Sequence, residues 1–171
     1  MPDDVYLGNP NLKKANTAIE FTQDQILEFV KCKDDPVYFA KNYVKIVSLD
    51  EGLVAFKPYD FQEKLINRFH ENRFNICKMP RQTGKSTTCV SYLLHYAIFN
   101  DSVNIGILAN KAATARELLG RLQTAYENLP KWMQQGIMVW NKGSLELENG
   151  SKILAASTSA SAVRGMSFNI L

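Results

Sequence analysis

The sequence predicts an α/β fold: a mostly parallel sheet flanked by helices. From Tyr59 onward, apolar runs of strand length alternate with stretches whose apolar residues recur at helical spacing. One change from strand to helix period falls across a Gly-Lys-Ser turn, in "NICKMPRQTGKSTTCVSYLL" at 75–94. Farther on, Asn149-Gly150 joins two short apolar runs, the strongest two-residue hairpin signal. At 171 residues, 46% of them hydrophobic and 22% charged, the chain suits one globular domain with a proper core.

In chain order, residues 1–20 are polar, with Gly8-Asn9-Pro10 and no clean period, and read as an arm or loosely docked leader. Thr22-Gln23-Asp24-Gln25 has the form of a capping box, and Ile26, Phe29 and Val30 follow at helical spacing. Asp35-Pro36 caps and opens a second short helix through Val37, Phe39, Ala40 and Tyr43. "KIVSLDEGLVAFKP" carries two apolar runs around Asp50-Glu51-Gly52, a hairpin pattern. These elements make an N-terminal region, 1–58, distinct from a core at 59–171.

The core begins with a helix from Tyr59 to about Asn72, striped by Phe61, Leu65, Ile66 and Phe69. "FNICK", 74–78, reads as a short buried strand. A helix opening at Gly84-Lys85-Ser86 repeats Val90, Leu93, Leu94, Ala97 and Ile98 on one face. "VNIGILA", 103–109, is a second strand. A long amphipathic helix follows on Ala115, Leu118, Leu119, Leu122, Tyr126 and Leu129, and Pro130 stops it. "GIMVW", "SLELE" and "SKILAAS" are short strands, "TSASAVRGMS" is a small-residue loop, and "FNIL" opens a further strand.

Composition limits the functional classes. A net charge of +3, from 20 basic and 17 acidic residues with no basic run longer than two, gives no electrostatic argument for nucleic-acid binding. No stretch approaches the roughly 20 apolar residues that cross a bilayer, and the N-terminus lacks a secretory pattern. Cys32, Cys77 and Cys89 form no CxxC pair and have only His70 and His95 as metal partners, so they read as reduced, buried thiols.

The Gly-Lys-Ser turn carries the chemistry. A phosphate-binding loop curls backbone N–H groups around phosphate oxygens at the positive end of a helix. Its lysine reaches the β and γ phosphates, and the following hydroxyl reaches Mg²⁺. Gly84, Lys85 and Ser86 occupy those three places, between an apolar strand and an apolar-striped helix. Met79 stands where the first glycine of the motif belongs, so the loop must enter by another path, partly fixed by Pro80. The plain alternative is a helix N-terminal turn bearing a surface lysine.

Together, "YDFQEKLI", "MPRQTGKSTT", "VNIGILANKAATARELLGRLQ" and "NKGSLELENGSKILAASTSASAVRGMSF" resemble the large terminase subunit of tailed bacteriophages, the DNA-packaging motor, most nearly its T-even version. The resemblance runs from about residue 22 to the end. It implies a P-loop NTPase core of the ASCE/RecA-like type, ATP and Mg²⁺ as cofactors, and a variant loop whose entrance is not glycine. Phe61, Gln62, Arg81, Gln82, Thr83, Gly84, Lys85, Ser86 and Thr87 are then the nucleotide-binding set, with Ser86 on the metal. Gln62 beside Phe61 would meet the adenine, since an amide both donates and accepts; otherwise it is a surface residue on an amphipathic helix.

In the same family Lys85, Arg81 and a further arginine, here matched by Arg164 in "SAVRG", act at the phosphates. Arg81 would stabilise developing charge, and Arg164 would reach a neighbouring subunit's nucleotide; a solvated loop and a plain turn are the alternatives. The resemblance further implies double-stranded viral DNA, portal protein and small terminase subunit as partners, a homo-oligomeric ring, no membrane, and the host cytoplasm. It places the second acidic motif, apolar residues ending in Asp-Glu, immediately after Leu171, so slow ATP turnover and no DNA cleavage are expected of this chain. Asp50-Glu51 imitates that motif but precedes the loop and reads as a turn. A Q-motif helicase domain and a non-catalytic interaction fragment are the competing functions.

Overall fold

The computed structural model describes residues 4–48, 50–158 and 165–171. Strands β1 (Val5–Tyr6) and β2 (Asn9–Lys13) pair antiparallel, followed by helices α1 (Gln23–Asp34) and α2 (Pro36–Tyr43). Strands β3 (Lys45–Ser48) and β4 (Gly52–Ala55) form a hairpin. Helix α3 (Asp60–Glu71), helix α4 (Lys85–Phe99), strand β5 (Asn104–Ala109) and helix α5 (Ala112–Glu127) come next. Strands β6 (Ile137–Trp140), β7 (Ser144–Leu147) and β8 (Lys152–Ser157) complete the order.

The helix signals act as the sequence suggests. Thr22 Oγ1 accepts from Gln25 N at 3.2 Å while Gln25 Oε1 accepts from Thr22 N at 3.1 Å, closing both halves of the capping box. Asp35 Oδ1 accepts from Val37 N and Tyr38 N, each at 2.9 Å, at the start of α2. Glu28 then ties α1 to α2 by accepting from Tyr38 Oη at 2.8 Å and Tyr43 Oη at 2.9 Å.

The four-stranded sheet has the order β5-β8-β7-β6. Only β5–β8 is parallel, from Asn104 opposite Lys152 to Ala109 opposite Ser157; β8–β7 and β7–β6 are antiparallel. The sheet is therefore mixed, not mostly parallel. The tight turn at Asn149-Gly150 forces its flanking strands antiparallel, whereas α5 provides the long crossover that a parallel pair needs. On the outer side of β5, Ile170 bridges Ile105 in the parallel sense, and Gly106 N donates to Ile170 O at 2.8 Å. A Cβ on Gly106 would come within 2.6 Å of Leu171 Cδ1, so glycine lets this segment lie against the strand.

Residues 74–78 depart from expectation: among the described residues they pair with no strand. Phe74 is 83% and Ile76 101% exposed. An apolar run becomes a strand only where a neighbouring backbone accepts its hydrogen bonds, and among the described residues none pairs with it. The N-terminal residues differ in the opposite sense. They form a docked hairpin, because Leu12 is buried and Gln134 Oε1 accepts from Lys13 N at 3.0 Å while its Nε2 donates to Asn11 O at 2.9 Å. Lys13 also pairs with Glu148 at 2.9 Å.

Helix α4 lies at the centre. Nine of its 15 residues are buried, against α2, α3 and α5 on different sides. Tyr92 and Phe99 are core residues, and Tyr96 packs against the core. His95 sits among Phe39, Phe99 and Tyr92, and its Nε2–H donates to Cys32 O at 2.9 Å. Asn149 closes the other end of the helix: its Nδ2 donates to Ala97 O at 2.9 Å and Asn100 O at 3.0 Å. The hairpin turn thus also satisfies carbonyls that the last turn of α4 leaves open.

Candidate functional site

Helix α4 begins without a side-chain cap, so its first N–H groups have no side-chain acceptor. Gly84 precedes it at φ +73°, and Gln82 is also left-handed at φ 62°. Such a conformation costs a side-chain-bearing residue about 1–2 kcal/mol, which the hydrogen bonds around the turn must offset at Gln82. Thr83 Oγ1 donates to Pro80 O at 3.0 Å and Thr88 Oγ1 to Gly84 O at 3.0 Å, bracing the turn on both sides.

Gln62 joins this turn to α3. It is 3% exposed, with Oε1 accepting from Tyr59 N at 2.9 Å and Nε2 donating to Thr83 O at 3.2 Å. A Cβ on Gly84 would lie 2.4 Å from Gln62 Nε2, so the glycine is required both by its φ and by this close approach. The reading of Gln62 as a surface residue fails, because its side chain turns inward onto the loop while Asp60 and Phe61 beside it stay exposed.

Between these elements lies a cavity of about 850 Å³. Phe61, Gln62, Gln82, Thr83, Gly84 and Thr87 line it, so the structure brings together six of the residues the sequence singles out. Tyr59 and Phe61 stack at its rim with ring centroids 5.8 Å apart. Its remaining wall is the β3–β4 hairpin and the residues after it, including Ile46, Ser48, Glu51, Val54, Phe56 and Lys57. Sequence reasoning missed this wall. Nothing in a hairpin pattern tells which loop it will face across more than thirty residues of chain.

Three expected residues stand outside the cavity lining. Lys85 Nζ folds back onto the loop, donating to Met79 O at 3.2 Å and to Pro80 O. Arg81 and Ser86 are exposed beside it. Arg164 lies outside the described residues. Within the first turns of α4, Cys89 is pushed up to about 11, first by burial and then by the neighbouring Cys77, so it remains a neutral thiol. Cys77 itself is exposed; of the three cysteines only Cys32 is fully buried.

The arrangement is an α/β unit in which a left-handed loop, an uncapped helix start and a lysine adjoin an aromatic-rimmed cavity. The family described as terminase large subunit, T4likevirus-type, N-terminal, matches residues 76–171, more than half of the chain, and the chain belongs to that family. Its fold is also similar to the crystal structure of the HK97 bacteriophage large terminase, with a TM-score of 0.64 at 16% identity. That match covers 80% of this chain and 29% of the other, so the chain spans under a third of the length of that terminase. Family membership sets the helicase reading aside.

Proposed function

We propose that this chain is the ATP-binding part of the motor that drives DNA into the phage procapsid, with a P-loop core of the ASCE type. The carrying observation is Gln62, which spans from the start of α3 to Thr83 and so couples the aromatic rim to the loop before α4. The base would lie against Phe61 and Gln62, where each amide group keeps one further hydrogen-bonding position. The triphosphate would meet the backbone N–H groups of Thr83 to Thr87 at the positive end of a helix of 15 residues. Lys85 would leave the carbonyls of Met79 and Pro80 for the phosphates, a stronger partner for an ammonium group.

Mg²⁺ takes oxygen ligands and keeps several waters. The exposed hydroxyl of Ser86 at the start of α4 fits one such position, with phosphates supplying others. Arg81, exposed on the same loop, would add positive charge where negative charge develops on the transferred phosphoryl group. Arg164 is proposed for the same task, on its own or a neighbouring subunit's nucleotide. In the working motor the partners would be double-stranded DNA, the portal and the small subunit, with copies of the chain in a ring in the host cytoplasm. No helix of the described residues is long and apolar enough to cross a membrane.

The experiment is a titration with ATP carrying a fluorophore on its γ-phosphate, in Mg²⁺, on wild type and Lys85→Ala. Measurable binding that the variant loses supports the reading. Equal affinity for both proteins, or none for wild type, overturns it and leaves a non-catalytic interaction unit. Turnover by this chain alone is expected near background.

A further inference from the structure

The Asp50-Glu51 pair finds no place in the phosphate chemistry, yet the hairpin carries Glu51 into the lining of the cavity. We propose that Glu51 is a ribose-recognition residue that makes this site prefer ribonucleotides over deoxyribonucleotides, an inference that rests on the nucleotide-binding reading above.

The order of residues along the hairpin carries the assignment. Ile46 pairs with Val54 and Ser48 with Gly52, so the face toward the cavity carries an apolar rung and then a polar one. Two residues of strand separate the rungs by about 7 Å, at ~3.3 Å per residue. The root of the hairpin leads through Phe56 and Lys57 directly to Tyr59, Phe61 and Gln62. A purine placed against that aromatic and amide end would have Ile46 and Val54 over its flat face. Its sugar would then fall opposite the polar rung and Glu51.

Chemistry favours the same assignment. A carboxylate accepts hydrogen bonds and donates none, so it suits the 2′-hydroxyl of a ribose and repels phosphate. Acidic residues hold ribose hydroxyls in unrelated nucleotide sites for this reason. Ser48 Oγ accepts from Asp50 N at 3.3 Å and Glu51 N at 3.4 Å, holding the turn while its own hydroxyl hydrogen stays available to the ligand. Lys57, on the same wall, keeps the lining from being purely acidic where a polyanion must enter.

The test is calorimetric titration of the whole chain with ATP and with dATP, each in Mg²⁺, for wild type, Glu51→Gln and Glu51→Ala. Loss of one charge-assisted hydrogen bond predicts dATP binding about tenfold more weakly than ATP to wild type. In Glu51→Ala the two affinities should converge, with dATP affinity within about twofold of its wild-type value, while Glu51→Gln, which keeps a neutral acceptor, should show a smaller preference than wild type. Equal affinities in wild type, or a preference that survives Glu51→Ala, overturns the assignment while the nucleotide site stands. A loss of equal size for ATP and dATP also overturns it, since Glu51 would then act on the shared phosphates or metal. Absence of binding by either nucleotide overturns the inference together with the reading beneath it.

Discussion

Replacing Gly84 by alanine tests the junction between fold and site. The new Cβ would sit 2.4 Å from Gln62 Nε2, closer than real Cβ contacts come, at a backbone φ of +73°. The left-handed conformation costs about 1–2 kcal/mol for a non-glycine residue. Displacing Gln62 from Thr83 O forfeits a buried hydrogen bond worth about 1 kcal/mol. Together these predict a loss of about 2–3 kcal/mol. For a chain of this size, where 1 kcal/mol moves the midpoint by about 2–4 °C, the melting temperature should fall by about 4–12 °C. Gly120→Ala is the control. It lies inside α5, and an added methyl group there would meet nothing within 4 Å, so alanine should raise stability by about 0.5–1 kcal/mol. Urea unfolding followed by circular dichroism reads both changes. If Gly84→Ala falls within about 0.5 kcal/mol of wild type, the contact between Gln62 and the loop is not as described.

Acid should weaken the fold through His95. Burial holds it neutral and lowers it from 6.5 to about 4. Its stabilising share is fully present above pH 6.5 and is lost as pH falls toward 4, because the unfolded chain takes up the proton first. At ~1.4 kcal/mol per unit the loss approaches about 3 kcal/mol, and His95→Phe should flatten urea midpoints across that window; an unchanged slope would refute the assignment. Asn149→Ala removes the donations to the carbonyls of Ala97 in α4 and of Asn100 just after it, and the acceptance from Ser151 N, and should cost about 2–3 kcal/mol in chemical unfolding. Leu12→Ala, at a side chain 1% exposed, should cost about 2–5 kcal/mol and make the first strands the earliest site of limited proteolysis.

Local chemistry was the legible part of this chain. Thr22-Gln25, Asp35-Pro36 and Asn149-Gly150 act within a few residues of themselves; both caps form, and the hairpin forms too, though through a three-residue turn, Glu148 to Gly150, in which only Gly150 is left-handed. The loop before α4 was legible for the same reason, since Gly84, Lys85 and Ser86 sit at fixed offsets from the helix they open. What could not be read depends on distant partners. "FNICK" has strand composition and stays unpaired, while the polar residues around Leu12 form a docked hairpin through Gln134, over a hundred positions away. Gln62 shows both sides of this limit. Its position in α3 follows from periodicity, yet its burial depends on Thr83, which periodicity cannot bring beside it.

The central claim is that backbone amides leading into α4 grip a triphosphate. Amide chemical shifts recorded while ATP and Mg²⁺ are added report on those groups one residue at a time. The largest changes are expected at Thr83, Gly84, Lys85, Ser86 and Thr87, with smaller ones at Phe61 and Gln62, and all should disappear in Lys85→Ala. Shifts confined to other surfaces, with those five amides unmoved at saturating nucleotide, would contradict the claim.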